Sequence, residues 1–291
     1  MKGPIRIAHI SDLHFSKICL NPLQIFSKRL LGNANLLLKR GRIYLNDKPF
    51  SLPDFFEKKK ITDIFITGDF TTTSQKSEYH LARKLIDEFR KKNFRVVMIP
   101  GNHDHYTKGA VKRRAFYEEI PQPVPENAIK MDRVSAFPLT SYYWVVTLDT
   151  TMYTPFIDAT GDFSESIEAN LRGILKKIPN DAKILMLNHF PFFCNDSYKR
   201  RLIGGKRLEG LLRETPNILF YLHGHTHRRV IADLRGDQLP IVLDSGSTSH
   251  ATHGSWNLLE LDEKSAKIEV FESTCRHGTN WNCVQEEKFS L

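Results

Sequence analysis

Five short apolar runs along the chain each end in a polar block, and together they define its organisation. The runs cover residues 5–10, 64–67, 96–99, 184–187 and 218–222. Their length and branched side chains predict buried strands. The blocks that follow read Ser-Asp-Leu-His at 11–14, Gly-Asp at 68–69, Gly-Asn-His-Asp at 101–104, Asn-His at 188–189 and Gly-His-Thr-His at 224–227. Polar groups at the carboxyl ends of strands lie where an open α/β sheet forms its active site.

Helices are predicted between these strands. Apolar positions recur at helical spacing over 76–92 and 164–178, and again around Leu208, Leu211 and Leu212. Asp162 and Glu165 form a candidate capping box for the second helix. Each apolar stripe is interpreted as a core face. Shorter strands are expected within 128–148 and at 230–234, 240–243, 257–261 and 266–271, so the pattern predicts two packed sheets flanked by helices.

The polar blocks supply a mixed set of metal ligands. Asp12 and His14 are two residues apart, as are His225 and His227, and in an extended chain each pair would project to one side. A lone carboxylate after a glycine, Asp69, has two oxygens and is able to bridge two cations. Two carboxylates, one amide and four imidazoles without a thiolate suit Mn, Fe or Zn. The candidate ligands are Asp12, His14, Asp69, Asn102, His189, His225 and His227. The bland interpretation makes each histidine an ordinary polar residue, but the five blocks together favour two metals.

The order of these blocks resembles the calcineurin-like metallophosphoesterase superfamily. The resemblance implies a four-layer α/β/β/α sandwich with two mixed sheets, and hydrolysis of a phosphate ester by a metal-bridging hydroxide. It places Asp12, His14, Asp69 and His227 on one metal. Asp69, Asn102, His189 and His225 then hold the other metal. His103 matches the catalytic histidine, and Asp104 matches the carboxylate that orients it.

Composition narrows the setting of this chemistry. The chain has 291 residues and is expected to form a single domain over 1–291, with a short C-terminal tail after 272. Its formal net charge of +9 favours anionic partners. Neither a leader peptide nor a membrane span is expected, so the protein is predicted to be cytoplasmic, with its four cysteines as reduced thiols. A small metal site at Cys275, His277 and Cys283 is a weak alternative because it lacks a fourth ligand.

Two basic stretches bear on the substrate. Residues 24–42 alternate basic and apolar positions. This pattern predicts either a helix packed on its own domain or a flap that binds peripherally to the inner face of an anionic membrane. Candidate substrate contacts are Lys199, Arg200, Arg201, His250 and His253, and a solvated loop is the alternative for the first three.

The substrate is expected to be a phosphorylated small molecule or a lipid. The compact motif most resembles class III cyclic-nucleotide phosphodiesterases, so phosphodiester hydrolysis is the preferred hypothesis. A pyrophosphatase acting on a nucleotide-linked lipid such as UDP-2,3-diacylglucosamine is a second hypothesis, although a common form of that enzyme has arginine where His103 stands. A nuclease or a non-catalytic interaction scaffold is a third. No nucleic-acid partner is predicted, because interleaved aromatic residues are not evident.

Overall fold

The computed structural model describes residues 3–17, 43–123, 125, 127–155, 158–194, 197–276 and 280–291. Six helices lie in these ranges: α1 (Leu52–Lys58), α2 (Lys76–Lys91), α3 (Lys108–Lys112), α4 (Ala115–Glu119), α5 (Glu165–Leu175) and α6 (Gly205–Glu214). The first strands are β1 (Ile5–Ile10), β2 (Asp63–Ile66), β3 (Arg95–Met98), β4 (Ile129–Met131), β5 (Val134–Pro138), β6 (Tyr143–Leu148), β7 (Gly161–Asp162) and β8 (Lys183–Asn188). The later strands are β9 (Leu202–Ile203), β10 (Ile218–His223), β11 (Arg229–Asp233), β12 (Ile241–Ser245), β13 (Gly254–Leu261), β14 (Ser265–Ser273) and β15 (Asn282–Ser290).

Two mixed sheets form the centre of the molecule. The six-stranded sheet has the order β15-β14-β13-β1-β2-β3, in which β1, β2 and β3 are parallel. The seven-stranded sheet has the order β11-β12-β10-β8-β6-β5-β4, in which β6, β8, β10 and β12 are parallel. The five predicted strands that carry the polar blocks are therefore all parallel members of these sheets.

Three layers of apolar side chains separate four layers of structure. One core packs the six-stranded sheet against α2 through residues such as Leu85 and Phe89. A second packs the seven-stranded sheet against α5 and α6, including Leu171 and Leu211. A third lies between the two sheets. The predicted four-layer sandwich is confirmed, and the apolar stripes of the helices are core faces.

Two details differ from the sequence-based expectations. The cap of α5 is Ser164, whose hydroxyl accepts the amide of Ile167, so the predicted Asp162–Glu165 capping box is wrong. The residues after 272 do not end in a simple tail, because β15 pairs antiparallel with β14. Trp281 also packs into the core under the six-stranded sheet. Apolar packing and strand pairing therefore hold this part of the chain against the domain.

Other features of the described chain bear on the earlier expectations. The basic stretch 24–42 lies outside the described residues, as does His277. Cys275 and Cys283 are exposed. Within the described ranges, no helix has both the length and the apolar character needed to cross a bilayer.

Candidate metal centre

The predicted ligands meet where the parallel strands of both sheets end. Strands β1, β2 and β3 deliver Asp12, Asp69 and Asn102 from one sheet, and β8 and β10 deliver His189 and His225 from the other. The carboxyl ends of parallel strands form the usual binding edge of such sheets. Every side chain that the sequence placed in the metal set lies at this edge.

The local backbone at these ligands is left-handed rather than extended. Five of them have positive φ angles: Asp12 (54°), His14 (45°), Asp69 (55°), His225 (68°) and His227 (57°). A non-glycine residue in this region carries a steric cost, which structures tolerate mainly at functional sites. The expectation that an extended chain aims each Asp-x-His or His-x-His pair to one side is therefore wrong. The side chains converge because the chain turns sharply after each strand.

Two glycines make this convergence possible. A Cβ atom at Gly101 would overlap the Asp69 carboxylate, and one at Gly224 would overlap the side chains of Ser11 and Asp12. Glycine at these positions lets one backbone approach the ligand of the neighbouring loop. Gly101 and Gly224 therefore shape the site although their side chains supply no metal ligand.

We call Asp12, His14 and His227, together with the shared Asp69, the first ligand group. One ligand atom from each of the four residues lies within 4.8 Å of the others. His227 Nε2 is 3.0 Å from Asp12 Oδ1 and 3.1 Å from His14 Nε2. His14 Nε2 is 3.8 Å from Asp69 Oδ2. Metal bonds of about 2.0–2.2 Å place neighbouring ligand atoms about 3 Å apart, so these spacings suit one cation.

We call Asn102, His189 and His225, again with Asp69, the second ligand group. His189 Nε2 lies 3.5 Å from Asp69 Oδ2 and 3.2 Å from Asn102 Oδ1. His225 Nδ1 lies 3.0 Å from the same amide oxygen. The two histidines of the Gly-His-Thr-His block therefore diverge, because His225 serves this group and His227 serves the first.

Unpaired acceptor atoms provide a test of whether a cation fits. Asp12 Oδ1 is buried and accepts no hydrogen bond of regular geometry from a described residue, although His227 Nε2 lies 3.0 Å away. His189 Nδ1 donates to the carbonyl of Thr67 at 2.7 Å, so in the neutral ring Nε2 directs a lone pair at Asn102 Oδ1. His225 Nε2 donates to the carbonyl of Arg200 at 2.9 Å. The lone pair of His225 Nδ1 therefore also faces Asn102 Oδ1. Acceptors that face one another in a buried site are satisfied by a cation between them.

Burial and charge set the protonation of these residues in the metal-free protein. Burial opposes ionisation of Asp12 and Asp69, but the neighbouring His227 and His189 hold the pKa of each carboxyl below its usual value. Burial lowers the pKa of His14 and of His225. Burial also acts to lower the pKa of His189, yet the Asp69 charge outweighs it and raises that pKa to about 9. Four ligands, Asp12, Asp69, His14 and His225, are thus already in the form that binds a cation, whereas His189 first has to lose a proton.

His103 lies beside the first ligand group but takes no part in it. Its ring centroid is 4.9 Å from that of His14, and it stacks on Tyr106 at 5.5 Å. Its backbone amide donates to Asp69 Oδ1 at 2.7 Å, and its Nδ1 donates to the carbonyl of Thr72 at 2.7 Å. The bond to Thr72 fixes the orientation of the ring.

Asp104 does not orient His103 through its carboxylate, so that prediction is wrong. Both carboxylate oxygens instead accept backbone amides, from Phe70 at 3.2 Å, Thr71 at 2.9 Å and Gly101 at 2.9 Å. Burial and the nearby Asp69 charge raise its pKa to about 7. Asp104 therefore ties the loop after β2 to the loop after β3, and it is a positioning residue rather than a catalytic one.

The predicted substrate contacts separate into near and distant residues. Arg200 donates to the carbonyl of His225, which places it at the rim of the second ligand group. Lys199 is exposed, and the guanidinium of Arg201 stacks on Tyr198 at 3.2 Å. His250 is half-buried, whereas His253 has a side chain 71 % exposed and lies 3.5 Å from Glu272. Among these five residues, Arg200 and His250 are the two that adjoin residues of the site.

Tyr44 and a serine-rich loop were missed by the sequence interpretation. The hydroxyl of Tyr44 lies 2.9 Å from His227 Nδ1, and its ring centroid is 4.6 Å from that of His14. Ser247 and Ser249 donate to the carbonyl of Asp12 at 2.7 and 3.2 Å. No motif in the sequence marks Tyr44, Ser247 or Ser249. The two serines belong to the run Ser-Gly-Ser-Thr-Ser at 245–249, at the end of β12.

Histidines outside the ligand set lie buried near the site. His9 lies in β1, and its Nε2 pairs with Thr67 Oγ1 at 3.0 Å. His105 is also buried, and its Nδ1 pairs with Thr151 Oγ1 at 2.7 Å. These two histidines therefore have structural partners of their own.

Comparison with known proteins places this geometry in a family. Residues 5–229 match the calcineurin-like phosphoesterase family. Curated proteins gave no match to the sequence. The fold is similar to that of a dimetal phosphatase from Danio rerio, with a TM-score of 0.62, 13 % identity and 99 % of each chain covered.

Two further solved structures share the fold. The structure of PhoD has a TM-score of 0.60 and 12 % identity over 99 % of this chain and 70 % of that one. The purple acid phosphatase PPD1 from Lupinus luteus seeds has a TM-score of 0.59 and 10 % identity over 100 % of this chain and 54 % of that one. At these identities the likeness concerns the fold.

Proposed function

Because the chain belongs to the calcineurin-like phosphoesterase family, we propose that it is a two-metal phosphodiesterase that hydrolyses a small phosphodiester. One observation carries the two-metal assignment. A single carboxylate oxygen, Asp69 Oδ2, lies 3.8 Å from His14 Nε2 in the first ligand group and 3.5 Å from His189 Nε2 in the second. A carboxylate between two sets of ligands is suited to bridge a pair of cations.

The donor set limits which cations fit. Nitrogen and oxygen donors without thiolate suit Mn, Fe or Zn. A pair of such cations would polarise the phosphoryl group and lower the pKa of a water that attacks it. The first ligand group provides two carboxylates and two imidazoles, and the second adds one amide oxygen and two further imidazoles around the shared Asp69.

His103 is proposed to act on the leaving group. Its ring lies beside the first ligand group, and its Nδ1 is committed to the carbonyl of Thr72. When the ring is protonated, Nε2–H is the proton that it is able to donate to the departing oxygen, or to hold in a hydrogen bond to it. Tyr106 stacks on the opposite face of the ring and restricts its rotation.

Arg200 is proposed to bind the remote part of the substrate. Its guanidinium is held against the carbonyl of His225 at the rim of the second group, which favours an anionic substrate there. The formal net charge of +9 also favours an anionic partner.

A substrate panel tests the proposed activity. The purified protein, loaded in turn with Mn, Fe and Zn, would be assayed with bis-(p-nitrophenyl) phosphate, p-nitrophenyl phosphate, cyclic AMP and UDP-2,3-diacylglucosamine. We expect a higher kcat/KM for the diesters than for the monoester and the lipid pyrophosphate. Bound metal without hydrolysis of any substrate would instead identify a non-catalytic scaffold, and preference for the monoester would reject the diester assignment.

A further inference from the structure

A cavity of about 840 Å³ lies between the edges of the two sheets, and none of the predicted metal ligands lines it. Strand β3 is the last strand of the six-stranded sheet, and β4 and β5 end the seven-stranded sheet. Val97, Ile99 and Phe137 belong both to the core between the sheets and to the cavity wall. The cavity is therefore the open end of the layer between the sheets, and a ligand there would complete that layer.

The inner wall of the cavity is apolar. Val97, Ile99 and Phe137 are 6 %, 3 % and 5 % exposed, and Met131 and Val134 add further aliphatic surface. Pockets of about 300–1,000 Å³ with mostly apolar walls are typical sites for small organic ligands. An apolar chain or ring system placed here would contact this wall and would shield Met131, which is partly exposed.

The rim of the cavity is basic. Its described lining residues include one carboxylate, Asp149, and five cationic side chains: Arg90, Arg95, Arg114, Lys130 and Arg133. Three of the cations already have acidic partners. Arg133 lies 3.1 Å from Asp149, Arg95 pairs with Asp63, and Arg114 lies 3.6 Å from Asp132.

Two positive charges at the rim remain without such compensation. Within the described part of the chain, Arg90 and Lys130 form no ion pair, and Arg90 donates to the carbonyl of Pro121 at 3.0 Å. Lys130 is exposed on β4. An anionic group at the mouth of the cavity would meet both charges while its apolar part lay against the wall.

We propose that this cavity binds an amphipathic anion, a single apolar chain or ring system that ends in a carboxylate, sulfonate or phosphate. An acidic peptide that adds to the free edge of β3 is the competing occupant. That edge offers little backbone, because β3 has four residues and its alternate members Val96 and Met98 are 9 % and 1 % exposed. The depth and the apolar wall favour the small amphiphile.

Calorimetric titration of the metal-loaded protein with dodecanoate tests the proposal. We expect saturable binding of one dodecanoate per chain, and no binding of acetate or of dodecyl maltoside, which lack the chain and the charge respectively. Arg90→Gln combined with Lys130→Gln should weaken dodecanoate binding by about tenfold or more. Lys58→Gln combined with Lys264→Gln removes the same charge from exposed positions outside the lining and should leave binding unchanged. Equal weakening in both double variants would show that net charge alone matters and would overturn the site.

Photolabelling locates the ligand independently of any variant. A fatty acid with a diazirine at its chain end should label peptides that contain 95–99 and 129–137. Labels confined to peptides that contain 12–14 or 225–227 would place the anion at the metal centre and overturn the proposal. Saturable binding of hexaglutamate without binding of dodecanoate would assign the cavity to acidic peptides and reject the amphiphile.

Discussion

The two ligand groups share Asp69 but are supported in different ways. In the second group each imidazole is tied to the main chain, His189 through Thr67 and His225 through Arg200. In the first group His14 Nδ1 is buried with no hydrogen-bond partner among the described residues, and His227 is held by the hydroxyl of Tyr44. Hydrogen bonds to the second nitrogen of a ligating histidine fix its ring and its tautomer.

His227 of the first group is also the most exposed of the ligands. The His189 side chain is 1 % exposed, whereas that of His227 is 22 % exposed. The Thr67 carbonyl directly follows β2, whereas Tyr44 pairs with His250 through an isolated bridge outside the sheets. The imidazoles of the second group are thus held by the main chain, whereas His227 of the first group is held by a side chain and is partly exposed.

The largest effect is expected where the two groups meet. Asp69→Asn removes the shared charge, so both cations should be lost or weakly held and the rate should fall by more than about 10³. Metal analysis after gel filtration and turnover of bis-(p-nitrophenyl) phosphate measure this. Asp132→Asn, at an exposed carboxylate away from the site, is the control. Two tightly held metals and near wild-type turnover in Asp69→Asn would remove it as the bridge.

A second substitution separates chemistry from metal binding. His103→Ala should leave both ligand groups loaded, because His103 contributes only its backbone amide to Asp69. The rate should fall by about 10²–10⁴ for a poor leaving group and by less for p-nitrophenolate, which needs little protonation. His253→Ala, at an exposed histidine, should change neither quantity. An equal loss for both leaving groups would contradict the acid role and leave a purely electrostatic one.

The comparison also shows how far the sequence predicts this molecule. The sequence predicts where strands end and which side chains act as ligands, because apolar runs and metal-binding residue types are local features of the chain. The left-handed turns at Asp12 and Asp69 were not, because they depend on the close approach of Gly224 and Gly101 from other loops. Tyr44 was missed for a similar reason, because its hydroxyl contacts His227, which lies 183 positions away in the sequence.

The role of Asp104 was mistaken because adjacency suggested a side-chain contact. Its carboxylate instead binds the amides of Phe70 and Thr71, more than 30 residues earlier in the chain. The strand at 282–290 was overlooked because nearly all of its side chains are exposed, so it lacks the alternation of a half-buried strand.

Tyr44→Phe tests whether the first group depends on its side-chain support. Loss of the hydroxyl frees His227 Nδ1, so metal affinity in the first group should fall by about 10–100-fold while the second group is unchanged. Stepwise titration with a competing chelator resolves the two sites. Tyr142→Phe, at a tyrosine that is 46 % exposed, should have no effect. Equal weakening of both sites would contradict the division drawn here.

The smallest expected effect concerns the protons released when each ligand group is loaded with metal. In the metal-free protein the Asp69 charge raises the pKa of His189 to about 9, whereas burial lowers the pKa of His14. At pH 7 the second group therefore holds a proton that a cation has to displace, and His14 in the first group does not. Loading of the second group should release about one proton, and its affinity should fall about tenfold for each pH unit below 9. Calorimetry in buffers of different ionisation enthalpy counts the protons released at each step. Tyr44→Phe identifies the titration step that loads the first group. Proton release on loading the first group, with none on loading the second, would contradict the expected difference between the groups.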